Sequence, residues 1–160
     1  MSQDREYPAH PIVGVLAVVR REGRVLLVQR AKPPRPGSWG FIGGVQELGE
    51  TVAETAVREL KEETGVVAAA VEPLTVLDAI YPDGDGRIRT HFTLICMLLD
   101  WRSGEPQADA DALAIGWFTP EEAEVSGMRL FPSTARVMRL ALAHSTQQAS
   151  SPRESGERVG

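Results

Sequence analysis

The chain has 160 residues, a formal net charge of -5 at pH 7 and a hydrophobic fraction of 42%. This length is typical of one domain with a core of its own. The acidic balance and the lack of any Lys or Arg run argue against a general nucleic-acid partner or an acidic membrane surface. The longest unbroken apolar run, Leu94 to Leu99, is far below the roughly 20 residues that span a bilayer. We therefore expect a soluble protein with a small-molecule ligand, no nucleic-acid partner and no membrane partner.

The N-terminus and the cysteine content indicate the compartment. The first residues, MSQDREYPAHP, lack the basic and then apolar regions of a secretory signal. The single cysteine, Cys96, lies inside the apolar run, so no internal disulfide can form and burial as a small apolar side chain is expected. These features favour a reducing cytoplasm.

The first third of the chain predicts a hairpin and a short strand. Pro11 to Arg20 and Arg24 to Gln29 are apolar and rich in β-branched residues, and the turn Arg21-Glu22-Gly23 separates them. Ala31 to Ser38 holds three prolines and a glycine, which predicts an irregular loop. Trp39 to Ile42 is expected to be a short strand.

The middle of the chain predicts two further strands. Val66 to Ala79 is rich in Val and Ala, and because Pro73 interrupts it we expect a bent or broken strand. Tyr81 to Gly86 has the residue types of a turn. Arg87 to Leu99 first alternates and then is apolar on both faces, which is typical of a strand in the middle of a sheet. Arg102 to Ala110 is predicted to be a polar loop.

The last third predicts a strand, two helices and a tail. Leu113 to Phe118 is a short strand, Pro120 to Glu124 starts a helix, and Pro132 to His144 has helical apolar spacing. The polar segment 145–160 is expected to be a disordered tail, which leaves 1–144 as the folded domain. Strands with helices on either side in sequence favour an α/β fold with a mixed β-sheet.

One helix has unusually clear boundaries, from Val52 to Thr64. Thr51 is the predicted N-cap, Glu54 stands three residues later as its capping-box partner, and Gly65 supplies the left-handed residue that ends the helix. Its apolar side is predicted to hold Ala53, Val57 and Leu60, with Ala56 at the edge.

The same helix gathers acidic residues on another side. Glu59, Glu62 and Glu63 fall within an arc of about 100°. Like charges at this spacing destabilise a helix by about 0.2 to 0.5 kcal/mol per pair, so a compensating cation is expected. Mg²⁺ prefers oxygen ligands of this kind. Arg58 lies one turn before Glu62 and one turn after Glu54, so it is placed to hold a carboxylate by a charge-assisted fork and thereby to orient it.

These residues belong to a longer pattern, GVQELGETVAETAVRELKEETGV. Gly44 is followed by five residues and Glu50, and seven more residues precede Arg58-Glu59-Leu60-Lys61-Glu62-Glu63-Thr64-Gly65-Val66. The hexamer RELKEE alone is more typical of an ordinary solvated amphipathic helix. A surface helix does not account for Gly43-Gly44, where the backbone is expected to take unusual dihedrals or to approach a ligand closely. The full pattern resembles the Nudix hydrolases, and the similarity in layout extends from Pro11 to Leu142.

The resemblance implies a fold and a chemistry. The fold is a Nudix-type α/β/α sandwich, and the enzymes of this family cleave diphosphates linked to another moiety. The metal ligands implied are Glu59, Glu62 and Glu63 together with a backbone carbonyl from the Gly43-Gly44 turn. Glu50 supports the loop and the helix. The cofactor is Mg²⁺, with Mn²⁺ as the alternative. Ile42 departs from the proline that many members carry before the two glycines.

The general base is left between two sources. Glu62 or Glu63 can deprotonate the attacking water, or a carboxylate of a late loop can do so, as in many Nudix enzymes. Each late carboxylate is more often a solvated loop acid, and Asp109 or Asp111 is favoured among the candidates, which are Glu105, Asp109, Asp111, Glu121 and Glu122.

Several residues are candidates for substrate binding. The resemblance places a phosphate-contacting arginine at Arg30, where a plain surface charge is the alternative. Trp39 and Phe41 are candidates to stack a nucleobase, as are Trp117 and Phe118, although aromatic residues near strands commonly belong to a core. His91 follows Arg87 and Arg89 in alternation, which is a basic face for phosphate or for solvent.

The substrate is predicted from one further position. Pro82 stands sixteen residues past Val66, a spacing associated in this family with ADP-ribose pyrophosphatases, although a turn favours proline for its own reasons. ADP-ribose, cleaved to AMP and ribose 5-phosphate, is therefore the leading expectation. The alternatives are a nucleoside triphosphate, a nucleotide sugar or a dinucleoside polyphosphate as substrate, or a non-catalytic nucleotide sensor. A homodimer is also an open alternative.

Overall fold

The computed structural model describes residues 5–33 and 35–145. In chain order its helices and strands are β1 (Ile12–Arg21), β2 (Arg24–Arg30), β3 (Trp39–Gly40), β4 (Ile42–Val45), α1 (Val52–Thr64), β5 (Val67–Pro82), β6 (Ile88–Ser103), β7 (Ala112–Phe118), α2 (Pro120–Val125) and α3 (Thr134–Ala143).

The strands form one mixed sheet, as the sequence predicts. The order is β3-β2-β1-β6-β5, with β4 also pairing with β1 and β7 with β2. Strands β1 and β6 run parallel, and the other pairs are antiparallel. Strand β1 pairs with β4 between Gly14 and Ala17 and with β2 only at its C-terminal end. Along its length, β1 therefore has first β4 and then β2 as a neighbour.

Helices cover both faces of this sheet, which confirms the α/β/α sandwich. Helix α1 packs on one face, where Ala56, Leu60 and Leu99 are fully buried. Helices α2 and α3 pack on the other, where Ala123, Val137 and Met138 are fully buried. Because helices cover both faces of the sheet, the middle strands have buried apolar residues on both faces.

Helix α1 has the predicted boundaries. The Glu54 amide donates to Thr51 Oγ1 at 3.1 Å, the Thr51 amide donates to Glu54 Oε1 at 2.8 Å, and Gly65 has a φ of 80°. The prediction for its apolar side needs one correction. Ala56 is fully buried and Val57 only half-buried, because the buried side of the helix is centred on Ala53, Ala56 and Leu60.

Strand β5 continues through Pro73, so the broken-strand alternative is wrong. The pairing with β6 shifts register between Ala70 and Glu72 and again between Pro73 and Thr75, which accommodates a residue without a backbone N–H. The strand also includes Pro82, and the predicted turn begins only after it. Its neighbour β6 likewise extends four residues beyond Leu99, to Ser103.

Helix α3 is tied to the sheet by a buried arginine. Arg20 donates from Nε to Asp100 Oδ1 at 2.7 Å, and from Nη1 to the carbonyl oxygens of Ala141 at 2.8 Å and His144 at 2.9 Å. These carbonyls belong to the C-terminal end of the helix, where they have no partner within it. The contact fixes the position of α3 over the sheet.

Three further predictions concern burial and the chain ends. Cys96 is buried, and burial raises the pKa of its thiol to about 11, in agreement with a small apolar role. None of the helices in residues 5–33 and 35–145 has the length and apolar character that a bilayer crossing needs. Apart from Ser145, the predicted tail lies outside the described residues.

Candidate active site

The two glycines of the pattern lie in strand β4, not in a turn. Gly43 pairs with Leu16 and Gly44 with Val15, and neither has a positive φ. Unusual dihedrals are therefore not the reason for glycine here. A Cβ at Gly44 would lie 2.6 Å from Cγ of Glu59 and closer still to its carboxylate. Glycine is needed because the carboxylate of Glu59 lies directly against the strand backbone.

Arg58 holds Glu50 through two hydrogen bonds. Its Nε donates to Glu50 Oε2 at 2.6 Å and its Nη2 donates to Glu50 Oε1 at 2.9 Å. Glu50 also accepts from Thr55 Oγ1 at 3.0 Å and from the Glu47 amide at 3.0 Å. These bonds, chiefly those from Arg58, lower the pKa of Glu50 to about 2. The fork fixes the loop before α1 to the helix.

Arg58 also contacts the acidic side of α1. Nη1 donates to Glu59 Oε1 at 2.8 Å and to Glu62 Oε2 at 3.3 Å, and Nη2 donates to the Val45 carbonyl at 3.3 Å. The hydrogen bond to Glu50 and the charges of Glu59 and Glu50 raise the pKa of Arg58. One guanidinium thus connects three carboxylates with strand β4.

Glu63 is the residue with the most perturbed acidity. Burial raises its pKa to about 8, helped by the charge and the hydrogen bond of Glu59 and by the charge of Asp109, while Arg30 acts in the opposite direction. At neutral pH and without a cation, Glu59 and Glu63 therefore share a proton. The proton neutralises the repulsion that a second carboxylate beside Glu59 would create.

The donor chemistry of this site fits a divalent cation. Carboxylate oxygens are the ligands that Mg²⁺ and Mn²⁺ prefer, and a proton shared with Glu59 is one that a cation would displace. As the side chains stand, no group of three or more His, Cys, Asp or Glu within residues 5–33 and 35–145 is arranged to hold a metal ion. The side chain of Glu62 is 60% exposed and is paired with Arg58 at 3.3 Å.

The loop between β6 and β7 brings one candidate base to the site. The Gln107 amide donates to the Thr64 carbonyl at 3.1 Å, which tethers the loop to the end of α1. The charge of Asp109 acts on Glu63. Asp111 is paired with Lys32 at 2.6 Å.

The other late carboxylates lie elsewhere. Glu105 pairs with Arg21 at 3.1 Å and Glu122 pairs with Arg24 at 3.1 Å, both at the far ends of strands β1 and β2. Glu121 is exposed in the first turn of α2. Among the five candidates, Asp109 is the one whose charge contributes to the pKa of Glu63.

A cavity of about 360 Å³ adjoins the two glycines on the α3 side of the sheet. Arg30 lies at its wall, as does Phe41, so the structure brings two of the predicted substrate-binding residues together. The wall is largely aromatic and aliphatic, and its lining residues include Phe41, Leu77, Tyr81, Phe92, Leu94, Phe131 and Thr134.

Trp39 and Pro82 are not among the lining residues. The ring of Trp39 packs edge-to-face on Phe118 with centroids 5.3 Å apart, within the core beneath α3. Pro82 is exposed at the end of β5, and its neighbour Tyr81 lines the cavity instead. Trp117 packs against the core beneath α1.

The predicted basic face lies outside the cavity. Arg87 stacks over the ring of Tyr7 at 4.4 Å and Arg89 pairs with Glu6 at 3.1 Å. His91 alternates along β6 with Thr90 and Phe92, which line the cavity.

Known proteins share this fold and this pattern. Residues 8–140 match the family model of the NUDIX domain. The chain belongs to the Nudix family.

Individual Nudix proteins show how far the similarity extends. A relative named ADP-ribose pyrophosphatase from Methanocaldococcus jannaschii is 38% identical over 109 residues, which are 68% of this chain and 62% of the relative. The chain thus spans less than two thirds of that protein. A MutT-like protein from Streptomyces ambofaciens is 32% identical over 81% of this chain and 82% of its own length. The crystal structure of a MutT NUDIX hydrolase from Burkholderia pseudomallei superposes with a TM-score of 0.70 at 29% identity, covering 82% of this chain and 98% of that one.

Nudix enzymes act on small nucleotide substrates and generally need divalent metal ions. Apart from Phe41, the aromatic lining of the cavity was missed by sequence reasoning. Phe92 was predicted only as part of a strand, and Phe131 stands in a segment with no periodicity. The alternation of Thr90, Phe92 and Leu94 was the one local signal for a common face.

We predict that Glu63→Gln changes how stability depends on pH in metal-free protein. The folded-state pKa of Glu63 is about 8 and its ordinary value is 4.5. Between pH 4.5 and 8, the native state therefore binds more protons than the unfolded state. The unfolding free energy of the parent therefore falls as pH rises from about 5 to 8, by on the order of 1 to 3 kcal/mol from this group. Glu63→Gln removes that decline.

Urea unfolding in EDTA at pH 5, 6.5 and 8 measures the effect. The advantage of Glu63→Gln over the parent should grow with pH. The control Glu121→Gln removes an exposed carboxylate from α2 and should follow the parent. Parallel stability curves for the parent and Glu63→Gln would show that Glu63 is an ordinary solvated acid.

Proposed function

We propose that this chain is a metal-dependent pyrophosphohydrolase that cleaves a nucleoside diphosphate linked to a further moiety. ADP-ribose, hydrolysed to AMP and ribose 5-phosphate, is the lead substrate, with Mg²⁺ as the metal and Mn²⁺ as the alternative. The observation that carries the proposal is the position of Gly44. Strand β4, which contains Gly44, has the carboxylate of Glu59 against its backbone and also lines the aromatic cavity.

The acidic residues have distinct tasks in this proposal. Glu59 and Glu63 are the principal metal ligands, Glu62 joins them after leaving Arg58, and a backbone carbonyl of Gly43 or Gly44 completes the protein's share. When bound, the cation would orient the attacking water and neutralise the phosphate oxygens. The half-buried position of Glu63 and Glu59 limits water around the phosphate.

Arg58 and Glu50 act as positioning residues. Their fork holds the loop before α1, and the third arm of the guanidinium holds Glu59 against Gly44. Arg30 has a different task. It lies at the cavity wall and its charge acts on Glu63, so we assign it to bind a phosphate oxygen of the substrate beside the carboxylates.

Asp109 is assigned as the general base. Its charge acts on Glu63, and the tether from Gln107 to Thr64 holds its loop near the end of α1. Asp111 is engaged by Lys32 at 2.6 Å, so its carboxylate already has a partner outside the acidic side of α1. Asp109 would take the proton of the water that attacks phosphorus. A general base must lie within reach of that proton, and the tether holds the loop of Asp109 near the end of α1.

The alternatives differ in substrate or in class. The similarity to a MutT-like protein keeps a nucleoside triphosphate as the second candidate, beside nucleotide sugars and dinucleoside polyphosphates. A non-catalytic sensor is disfavoured, because binding alone does not require Glu59 and Glu63 to be held together at the cost of a raised pKa. A cytoplasmic location and a homodimer stay predictions from the sequence.

A substrate panel with Mg²⁺ tests the proposed function. Release of AMP, phosphate and pyrophosphate is measured for ADP-ribose, nucleoside triphosphates with normal and oxidised bases, nucleotide sugars and dinucleoside polyphosphates. We expect the highest kcat/KM for ADP-ribose. A preference of about tenfold for a triphosphate, equal to about 1.4 kcal/mol of transition-state binding, would overturn the ADP-ribose assignment. No turnover of any compound would favour the sensor.

The assignment of the base is tested by a matched pair of variants. Asp109→Asn should lower kcat by about 10²- to 10⁴-fold, since proton transfer by a positioned base contributes about that much. Asp111→Asn removes a charge two residues away and should change kcat only a few-fold. The readout is kcat as a function of pH with saturating substrate and metal. Equal losses in both variants would mean that the loop as a whole matters, and a larger loss in Asp111→Asn would show that the assignment is wrong.

A further inference from the structure

The N-terminal arm, residues 5–11, lies against the turn that joins β5 to β6. The amide of Tyr7 donates to the Arg89 carbonyl at 2.7 Å, and the Tyr7 hydroxyl donates to Asp83 Oδ2 at 2.8 Å. The guanidinium of Arg87 stacks over the Tyr7 ring at 4.4 Å. Three contacts through one tyrosine therefore fix the arm to the hairpin formed by β5 and β6.

Tyr7 is held in a backbone conformation that its side chain does not favour. Its φ is 52°, in the left-handed region where a bulky residue is an outlier. Such a conformation persists only where the surrounding contacts enforce it, and it is most common at active sites and ligand clamps. The contacts of Tyr7 with the turn therefore determine the path of the residues that precede it.

This path brings the side chain of Arg5 to the cavity of the active site. Arg5 lines the cavity together with Tyr81 and Thr90, which are paired at the ends of β5 and β6 beside the turn. Within residues 5–33 and 35–145 the neighbouring Glu6 has an ion pair, with Arg89 at 3.1 Å, and Arg5 has none. The donors of the Arg5 guanidinium are thus available to a ligand in the cavity.

The cavity has arginines on two separate sides. Arg30 is the last residue of β2, where its charge acts on Glu63, whereas Arg5 lies at the β5–β6 turn. Strand β1 stands between β2 and β6 in the sheet, so the backbones that carry the two arginines are roughly 10 Å or more apart. Asp78 supplies a carboxylate to the lining. The lining therefore has more positive than negative charge, and part of the positive charge lies away from the acidic side of α1.

The chemistry of Arg5 suits a phosphate monoester. The planar fork of donors on a guanidinium matches phosphate oxygens, and proteins use an arginine in this way to accommodate the 2′-phosphate of a dinucleotide. In the proposed function the diphosphate of the substrate is bound at the carboxylates and Arg30. A phosphate at Arg5 is therefore a separate group on the same substrate.

We propose that Arg5 is a specificity-determining residue that binds a phosphate monoester on the part of the substrate remote from the scissile diphosphate. The N-terminal arm is the element that positions it. The inference rests on the proposed function in placing a nucleotide in the cavity. It adds that the substrate carries a further phosphate on one of its sugars, so that ADP-ribose with such a phosphate is preferred to ADP-ribose itself.

Binding of compounds that lack a phosphoanhydride bond tests this inference without turnover. AMP is compared with adenosine 2′,5′-bisphosphate and adenosine 3′,5′-bisphosphate, and ribose 5-phosphate is compared with ribose 1,5-bisphosphate. Calorimetry in the presence of Mg²⁺ gives the affinities. We expect at least one bisphosphate to bind the parent about 5- to 20-fold more tightly than its monophosphate. The pair that shows this preference identifies the half of the substrate that reaches Arg5.

Three variants separate recognition from general charge. Arg5→Gln should abolish the preference for the bisphosphate, and Arg5→Lys should keep part of it, because lysine retains the charge without the planar fork. Arg102→Gln is the matched control, since Arg102 is also exposed and lies at the other end of β6. It should keep the full preference. All three variants should retain the melting temperature of the parent.

Three results would overturn the inference. These are no binding of any of the compounds to the parent, no preference for any bisphosphate in the parent, and an equal loss of preference in Arg5→Gln and Arg102→Gln. Hydrolysis of the substrate panel is measured separately. Intact hydrolysis without a preference for a bisphosphate would leave the proposed function standing, and a preference that depends on Arg5 without hydrolysis would reject only that function.

Discussion

The active site depends on how closely α1 lies to β4. With a side chain at Gly44, the carboxylate of Glu59 could not occupy its place against the strand and would have to turn away from it. Leu60 and Ala56, fully buried on the next side of the helix, hold it at this distance. The packing of the core and the placement of the carboxylates are thus one constraint, because the same thirteen-residue helix supplies both.

Charge on this helix is compensated in two ways. Arg58 neutralises Glu50 and contacts Glu59 and Glu62, and a proton neutralises Glu63. This arrangement compensates the carboxylates when no cation is bound. A cation can replace it, since the proton on Glu63 and the contact between Arg58 and Glu62 are both easily lost. Glu62 is largely exposed, so its pair with Arg58 is worth little. The Glu50 fork is less exposed and keeps the arginine in place when Glu62 departs.

Local features of the sequence were enough to predict α1 and its acidic side. The capping box at Thr51, the end at Gly65 and the fork of Arg58 on a carboxylate all involve residues close in sequence. The partner of that fork was not specified by helical spacing, because Glu50 lies outside the helix. Glycine is needed at position 44 because of a contact between β4 and Glu59 of α1, which the sequence alone does not show. The expectation of unusual backbone dihedrals at the two glycines was wrong.

The cavity was less predictable, because it is assembled from distant segments. Strands β4, β5 and β6 and the first turn of α3 each contribute a wall. Trp39 and Pro82 were selected by residue type and family spacing, but the lining at those points is Phe41 and Tyr81. Thr134 gave no signal in the sequence, since only the tertiary structure shows that it is buried and lines the cavity.

The most direct test of this account is the proton released when metal binds. Calorimetric titration of metal-free protein with Mg²⁺ or Mn²⁺ at pH 7, repeated in buffers with different ionisation enthalpies, gives the number of protons released per bound ion. Because Glu63 has a pKa of about 8 without metal, the account predicts release of close to one proton by the parent and close to none by Glu63→Gln. Metal binding without proton release in the parent would show that the cation does not bind at Glu59 and Glu63.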